Sequence, residues 1–225
     1  MRLGAFKVGG AVADEGSLYV HRPADDLLPA ALLGGDYAYV LAPRQIGKSS
    51  LRLRVQERLR ADGWRCVSID ITALGQVERA REEDWYGGLL AEIADQLGRE
   101  AVLGGAGPVV KRFQDGLRRV LEPETLEVAL FLDEIDALRR AGIDHEGFLA
   151  ALRAICNLRA EDAVWRRLHP CLLGVATPGE LIDDPQRTPF NLGREVRLDD
   201  FSAAEVAGFA SGLLGVAGDR AEALA

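Results

Sequence analysis

The sequence predicts an α/β fold in which a mostly parallel sheet is covered by helices on both faces. Three observations predict it. Short, near-continuous apolar runs rich in β-branched and aromatic residues recur along the chain. Between them lie segments whose apolar residues fall at helical spacing. The two kinds alternate, as strands joined by crossover helices do and hairpins do not.

The first predicted strand is Tyr37 to Leu41, entered after the Gly34-Gly35 break. Leu51, Val55 and Leu59 then mark a helix that stops near Gly63, and Cys66 to Ile71 reads as the second strand. A charged run from Glu78 to Asp84 and the loop-like Gly104 to Pro108 bracket a helix with Leu89, Leu90, Ile93, Ala94 and Leu97 on one face, ending near Gly98. Val110, Phe113, Leu117 and Val120 mark the next helix, and Val128 to Leu132 the third strand. Phe148, Leu149, Leu152, Ile155 and Cys156 mark a further helix before the strands Cys171 to Ala176 and Val196 to Leu198. Ser202 to Glu205 has capping-box spacing, so a helix carrying Val206, Phe209, Leu213 and Leu214 inward is expected from there.

With 225 residues, 48% of them hydrophobic, the chain can bury one large core. A net charge of -8 offers no general basic field for a phosphate backbone, so nucleic acid is not the expected partner. Cys66, Cys156 and Cys171 form no CxxC pair and sit in apolar stretches, where cysteine acts as a small hydrophobe. Residues 1 to 16 lack the continuous apolar run of a signal peptide, and no run is long enough to span a bilayer. The expected location is cytoplasmic.

Directly after the first strand comes Ala42-Pro43-Arg44-Gln45-Ile46-Gly47-Lys48-Ser49, followed by Ser50 and a helix. Strand, loop and helix in that order form the P-loop context: backbone N–H groups wrap phosphates at a helix N-terminus, where the dipole favours negative charge. Gly47 permits close backbone approach, Lys48 can reach the outer phosphates, and the Ser49 hydroxyl can ligate magnesium. Ala42 stands where the motif has its first glycine, which costs about 1 kcal/mol or more if the backbone there must be left-handed. Arg44 either touches phosphate or pairs with an acid on the loop's rim.

The third strand runs into Asp133-Glu134, then Ile135-Asp136. Carboxylates at the end of a buried strand are costly without a cation or donors. Beside a P-loop they form a Walker B arrangement, with Asp133 on magnesium and Glu134 as the base for attacking water. The competing use of such a pair is a helix N-cap with a first-turn acid. Thr177 follows the fourth strand, where a hydroxyl could bond the γ-phosphate or the attacking water; Thr177-Pro178-Gly179 also has the chemistry of an ordinary turn. For a transition-state arginine the candidates are Arg187 and Arg194, in the loop-rich stretch before the last strand, with Arg159 at the end of the preceding helix.

Taken together, these strings resemble the bacterial AAA-like domain family, related to the STAND and origin-recognition branches of the AAA+ P-loop ATPases. The resemblance runs from Gly9-Gly10 and Tyr19-Val20-His21-Arg22-Pro23-Ala24-Asp25 through the phosphate loop, Ile69-Asp70-Ile71, Trp85-Tyr86, Phe131 to Asp136, Leu173 to Pro178, and Arg187 to Gly193. It implies a parallel five-stranded sheet sandwiched by helices, an adenine pocket bordered by Val20, His21, Arg22 and Pro23, and ATP with Mg2+ as ligands. It further implies a division into a segment bordering the nucleotide pocket (1–36), a P-loop core (37–200) and the start of a helical lid (201–225), incomplete at Ala225. Relatives implied by the resemblance assemble through the nucleotide interface and carry an effector domain. The activity expected is ATP hydrolysis driving a conformational or assembly switch; the alternatives are a signalling module that binds without turnover and a scaffold that has lost nucleotide.

Overall fold

The structure, a computed structural model, describes residues 19–75, 82–182 and 189–202. Arg187, the helix expected from Ser202 onward and most of the Glu78 to Asp84 run lie outside them. Helix α1 (Pro23–Leu33) leads to β1 (Ala38–Leu41), α2 (Lys48–Ala61) and β2 (Arg65–Asp70). Then come α3 (Glu82–Gln96), α4 (Val109–Leu121), β3 (Val128–Asp133) and α5 (His145–Leu158). The short α6 (Ala163–Arg166), β4 (Leu168–Gly174), the short α7 (Pro178–Leu181) and β5 (Arg194–Glu195) complete the order.

The five strands form one parallel sheet in the order β2-β3-β4-β1-β5. Side chains alternate across it. Val128, Leu130 and Leu132 of β3 pack on one face with Leu89, Leu90 and Ile93 of α3, Phe113 and Leu117 of α4, and Phe148 and Leu152 of α5. Ala129 and Phe131 point to the other face, against Leu28 and Leu32 of α1 and Leu51, Val55 and Leu59 of α2. With both faces covered, β3 is buried at every position, which is why it reads as an unbroken apolar run.

Three expectations need correction. Helix α1 was not among the expected elements: Pro23 occupies its first turn, where its missing N–H costs nothing, beside Asp25 and Asp26 at the positive end of the helix dipole. Strand β4 begins at Leu168 rather than Cys171 and ends at Gly174. Pro170 is tolerated inside it because β1 joins only from Ala38 opposite Cys171, leaving Pro170 with a strand on one side alone. The last strand lies earlier than Val196 to Leu198. Its ladder starts where the Arg194 N–H donates to the Tyr37 carbonyl at 2.7 Å, and the Val196 N–H still reaches Tyr39 at 2.9 Å.

The cysteines are free, and burial pushes the Cys66 and Cys156 thiols up to about 11. Those thiols are inert, as their surroundings implied. Near the start of the central strand β4, His169 is 4% exposed, stacked on Trp64 with ring centroids 4.5 Å apart, and 2.7 Å from Glu127. Burial, reinforced by Arg159, holds its pKa below the usual 6.5 against the opposite pull of Glu127. A folded-state pKa below the unfolded one means the unfolded chain takes up the proton first as pH falls. The stability this histidine contributes is therefore present above about pH 6.5 and lost below it. Thermal midpoints at pH 7.5 and 5.5 should fall less steeply in His169→Gln than in the parent; equal slopes would refute the assignment.

Candidate nucleotide-binding site

The strand order separates β1 from β3 by β4, so three loops meet at the C-terminal edge of the sheet: the one after Leu41, the acids after Leu132, and the turn after Gly174. In open α/β sheets that edge is where ligands bind. Gly174 is required there. A Cβ on it would come 2.6 Å from Ile135 Cγ2 and 3.2 Å from Asp136 Oδ1, so the end of β4 can lie against the 3-10 turn Ile135–Arg140 only as glycine. Asp136 fastens the two by accepting the Val175 N–H at 3.2 Å.

In the phosphate loop, Gln45 has φ 65° and Gly47 φ 99°. Left-handed positions in a tight loop gather successive N–H groups into an anion-binding concavity. Among the described residues, Gln45 and Glu134 are the non-glycine positions with positive φ, so Ala42 needs no left-handed backbone and is instead packed in the core. The absent first glycine costs the loop nothing. Gly47 also lies against Arg22, whose Nη2 would be 2.8 Å from an added Cβ. Gly47→Ala should cost about 1–3 kcal/mol from its φ alone, read as a lowered denaturant midpoint; an unchanged midpoint would overturn that reading.

Lys48, 7% exposed at the start of α2, donates to the carbonyls of Ala42 and Pro43, each at 2.7 Å. Burial lowers its pKa, opposed by the negative charges of Glu134, Asp133 and Asp136. Burial likewise raises the pKa of Glu134, helped by Asp136 and Asp133 and opposed by Lys48 and Arg44. A glutamate with a raised pKa beside a lysine is the electrostatic setting of a general base. Its backbone is left-handed, φ 54° and ψ 44°, a conformation that costs a non-glycine residue about 1–3 kcal/mol. Asp133 is 9% exposed; its Oδ1 accepts the Glu134 N–H at 3.0 Å and its Oδ2 is 3.2 Å from Arg52 Nε.

The loop's other residues are placed consistently. Pro43, Arg44, Gln45 and Ser49 are exposed, Ile46 is half-buried and Ser50 is buried. Arg44 has no hydrogen-bond or ion-pair partner among the described residues, and its charge is felt by both Lys48 and Glu134. Of the segment at the N-terminal border, Val20 is half-buried, His21 lies 3.4 Å from Asp26, and Pro23 opens α1. Arg22 is 4% exposed and donates from Nη1 to the Ile46 carbonyl at 2.7 Å, with Phe201 over its guanidinium at 4.9 Å. That arginine ties the border segment and residue 201 to the back of the phosphate loop.

Other candidates go elsewhere. The Thr177 hydroxyl donates to Glu180 at 2.8 Å and its N–H to the same oxygen at 2.7 Å, so it caps α7. Arg194 pairs with Asp36 at 3.4 Å, opposite Ala38 at the N-terminal edge of the sheet. Arg159 donates to the Gly35 carbonyl at 2.6 Å on that same edge. Neither arginine reaches the phosphate loop of its own chain. Sequence reasoning missed Arg52; its place at helical spacing after Ser49, on the same face of α2, was the available signal.

The sequence profile of the AAA-like domain family matches residues 8–214. The chain belongs to the AAA-like domain family. An uncharacterised WD repeat-containing protein of Synechocystis is 37% identical over 224 residues, a match covering 92% of this chain and 18% of that protein. This AAA-like domain thus spans under a fifth of the length of that curated relative. Among solved structures, the Aeropyrum pernix ORC2 protein in its ADP form superposes with a TM-score of 0.60 at 18% identity, covering 88% of this chain and 54% of that one. The Walker-type ATPase of Pyrococcus abyssi gives 0.60 at 19% identity (92% and 61%), and the A. pernix ORC1 protein in complex with DNA gives 0.59 at 16% (85% and 48%). At these identities the likeness is one of fold: a parallel five-stranded sheet with helices on both faces. Among the described residues of the AAA-like domain, no helix is long and apolar enough to cross a membrane.

Proposed function

We propose that this AAA-like domain binds ATP with magnesium and hydrolyses it, the cycle driving a conformational or assembly switch. The observation that carries this is the placing, at one edge of the sheet, of the Lys48 loop after β1 and the Asp133-Glu134 pair at the end of β3, with β4 alone between those strands and a loop backbone that turns left-handed twice. Backbone N–H groups of residues 44–50 would cradle the phosphates, with Pro43 shaping the entry to the loop and Lys48 on the outer phosphates. The oxygen donors Ser49 and Asp133 suit magnesium, which when bound would neutralise charge on the phosphate oxygens. Glu134 would orient the attacking water and take its proton. Val20 to Pro23 would border the adenine, held to the loop by Arg22.

The division into border segment (1–36), core (37–200) and lid start (201–225) belongs to the same proposal; the stacking of Phe201 on Arg22 supports a lid that begins over the border segment. So does a cytoplasmic setting. The effector is a separate or fused domain, a reading supported by the WD repeats in the name of the Synechocystis relative. If Arg194 serves phosphoryl transfer, it serves the nucleotide of a neighbouring chain in a homo-oligomer, with Arg187 the candidate that lies outside the described residues. Nucleic acid is not among the partners proposed, given the net charge of -8. One observation favours a second reading, a STAND-like signalling module with negligible turnover: Lys48 and Asp133 are both committed to partners within the protein.

Calorimetry with Mg-ATP, followed by phosphate release, tests these readings. One-to-one binding with release supports the ATPase, and binding without release selects the signalling module. No binding at millimolar Mg-ATP would leave a scaffold that has lost nucleotide.

A further inference from the structure

Arg52 is not a loose surface arginine. Its guanidinium crosses from α2 to the ends of β2 and β3, with Nε 3.2 Å from Asp133 Oδ2 and Nη1 2.6 Å from Ser68 Oγ and 3.5 Å from Gln56 Oε1. The two charged side chains are 18% and 13% exposed. The other Asp133 oxygen already accepts the Glu134 N–H. A carboxylate has about four lone-pair sites, so each oxygen keeps one for a metal. Its negative charge, however, is already compensated by a guanidinium in direct contact. Arg52 also has a second home: Ser68 and Gln56 can keep accepting from Nη1 after Nε lets go.

We propose that Arg52 is a built-in cation that competes with magnesium for Asp133 and so sets the magnesium concentration at which the domain retains nucleotide. In the metal-free state the ion pair holds the carboxylate. Magnesium arriving with phosphate draws Asp133 away, and the guanidinium stays on Ser68 and Gln56. The site is thereby a sensor of metal supply as well as of nucleotide. This inference rests on the magnesium role proposed for Asp133.

The test is a magnesium titration of the intact chain at constant ionic strength, alone and with ADP, read by thermal midpoint and calorimetry rather than turnover. Arg52→Met keeps the apolar stem and removes the charge. Its half-effect magnesium concentration should fall about fivefold, the size a partly exposed ion pair supports. Its metal-free midpoint should lie below the parent's and be restored by magnesium, while Arg52→Lys keeps the parent's behaviour. Ser68→Ala removes the second home without touching either charge, so its magnesium requirement should rise; this variant carries the test alone if Arg52→Met does not fold. An unchanged or higher requirement in Arg52→Met, or an unchanged one in Ser68→Ala, overturns the proposal. Failure of the parent to bind ADP would sink the nucleotide reading instead, because the magnesium-only series still reads the ion pair.

Discussion

Lys48→Ala abolishes the stabilisation that Mg-ATP confers on the parent chain. A ligand that binds only the folded state adds about 2.7 kcal/mol at a hundredfold excess over its dissociation constant, or roughly 5–10 °C for a domain of this size. The loss should be nearly complete, because Lys48 is the buried cation of the loop and its removal leaves the phosphates without that charge. In the absence of nucleotide the substitution removes two hydrogen bonds but also a desolvated charge, effects of opposite sign. The nucleotide-free midpoint should therefore move little. A thermal scan of both proteins with and without Mg-ATP separates the two contributions, and a shift of equal size in both would remove Lys48 from the site.

Glu134→Gln leaves Mg-ATP bound and lowers turnover by about 10²–10⁴-fold, the range associated with loss of a general base. Glutamine keeps the size of the side chain and its strained backbone, so binding geometry is preserved while the proton acceptor is lost. It also removes a negative charge from a cluster in which Asp133 and Asp136 already raise the Glu134 pKa. Nucleotide affinity should therefore stay level or improve. Phosphate release measured beside calorimetric affinity distinguishes this from a general loss of the site, in which both quantities would fall together.

The parts of the fold that were legible are those where one residue's local neighbourhood decides its structure. Strand β3 could be read because each of its side chains is buried, and the phosphate loop because strand, loop and helix are contiguous. Helix α1 was missed although a first-turn proline followed by two aspartates is a helix-start signal, and Pro29 interrupts its interior. The last strand was misplaced because Val196 and Leu198 mark the side chains that reach the core, whereas its ladder bonds begin at Arg194, an exposed residue on an edge. Arg52 and Asp133 stand 81 positions apart, so no spacing announces their pairing. The turn reading and the phosphate reading of Thr177 stand level in the sequence, and the structure adds that its hydroxyl caps α7 through Glu180.

The hydrogen bonds from Lys48 to the carbonyls of its own loop have a thermodynamic consequence for what the loop will accept. The ammonium is internally solvated, so an anion does not fill an empty electrostatic well; it must replace two carbonyl partners that are already well placed. A lone small anion recovers little by doing so. A polyphosphate, which engages the loop's N–H groups along several oxygens while it displaces those carbonyls, recovers enough. In the proposed site, selectivity for a chain of phosphates over a single one would thus arise from the loop's own backbone acting as a resident competitor.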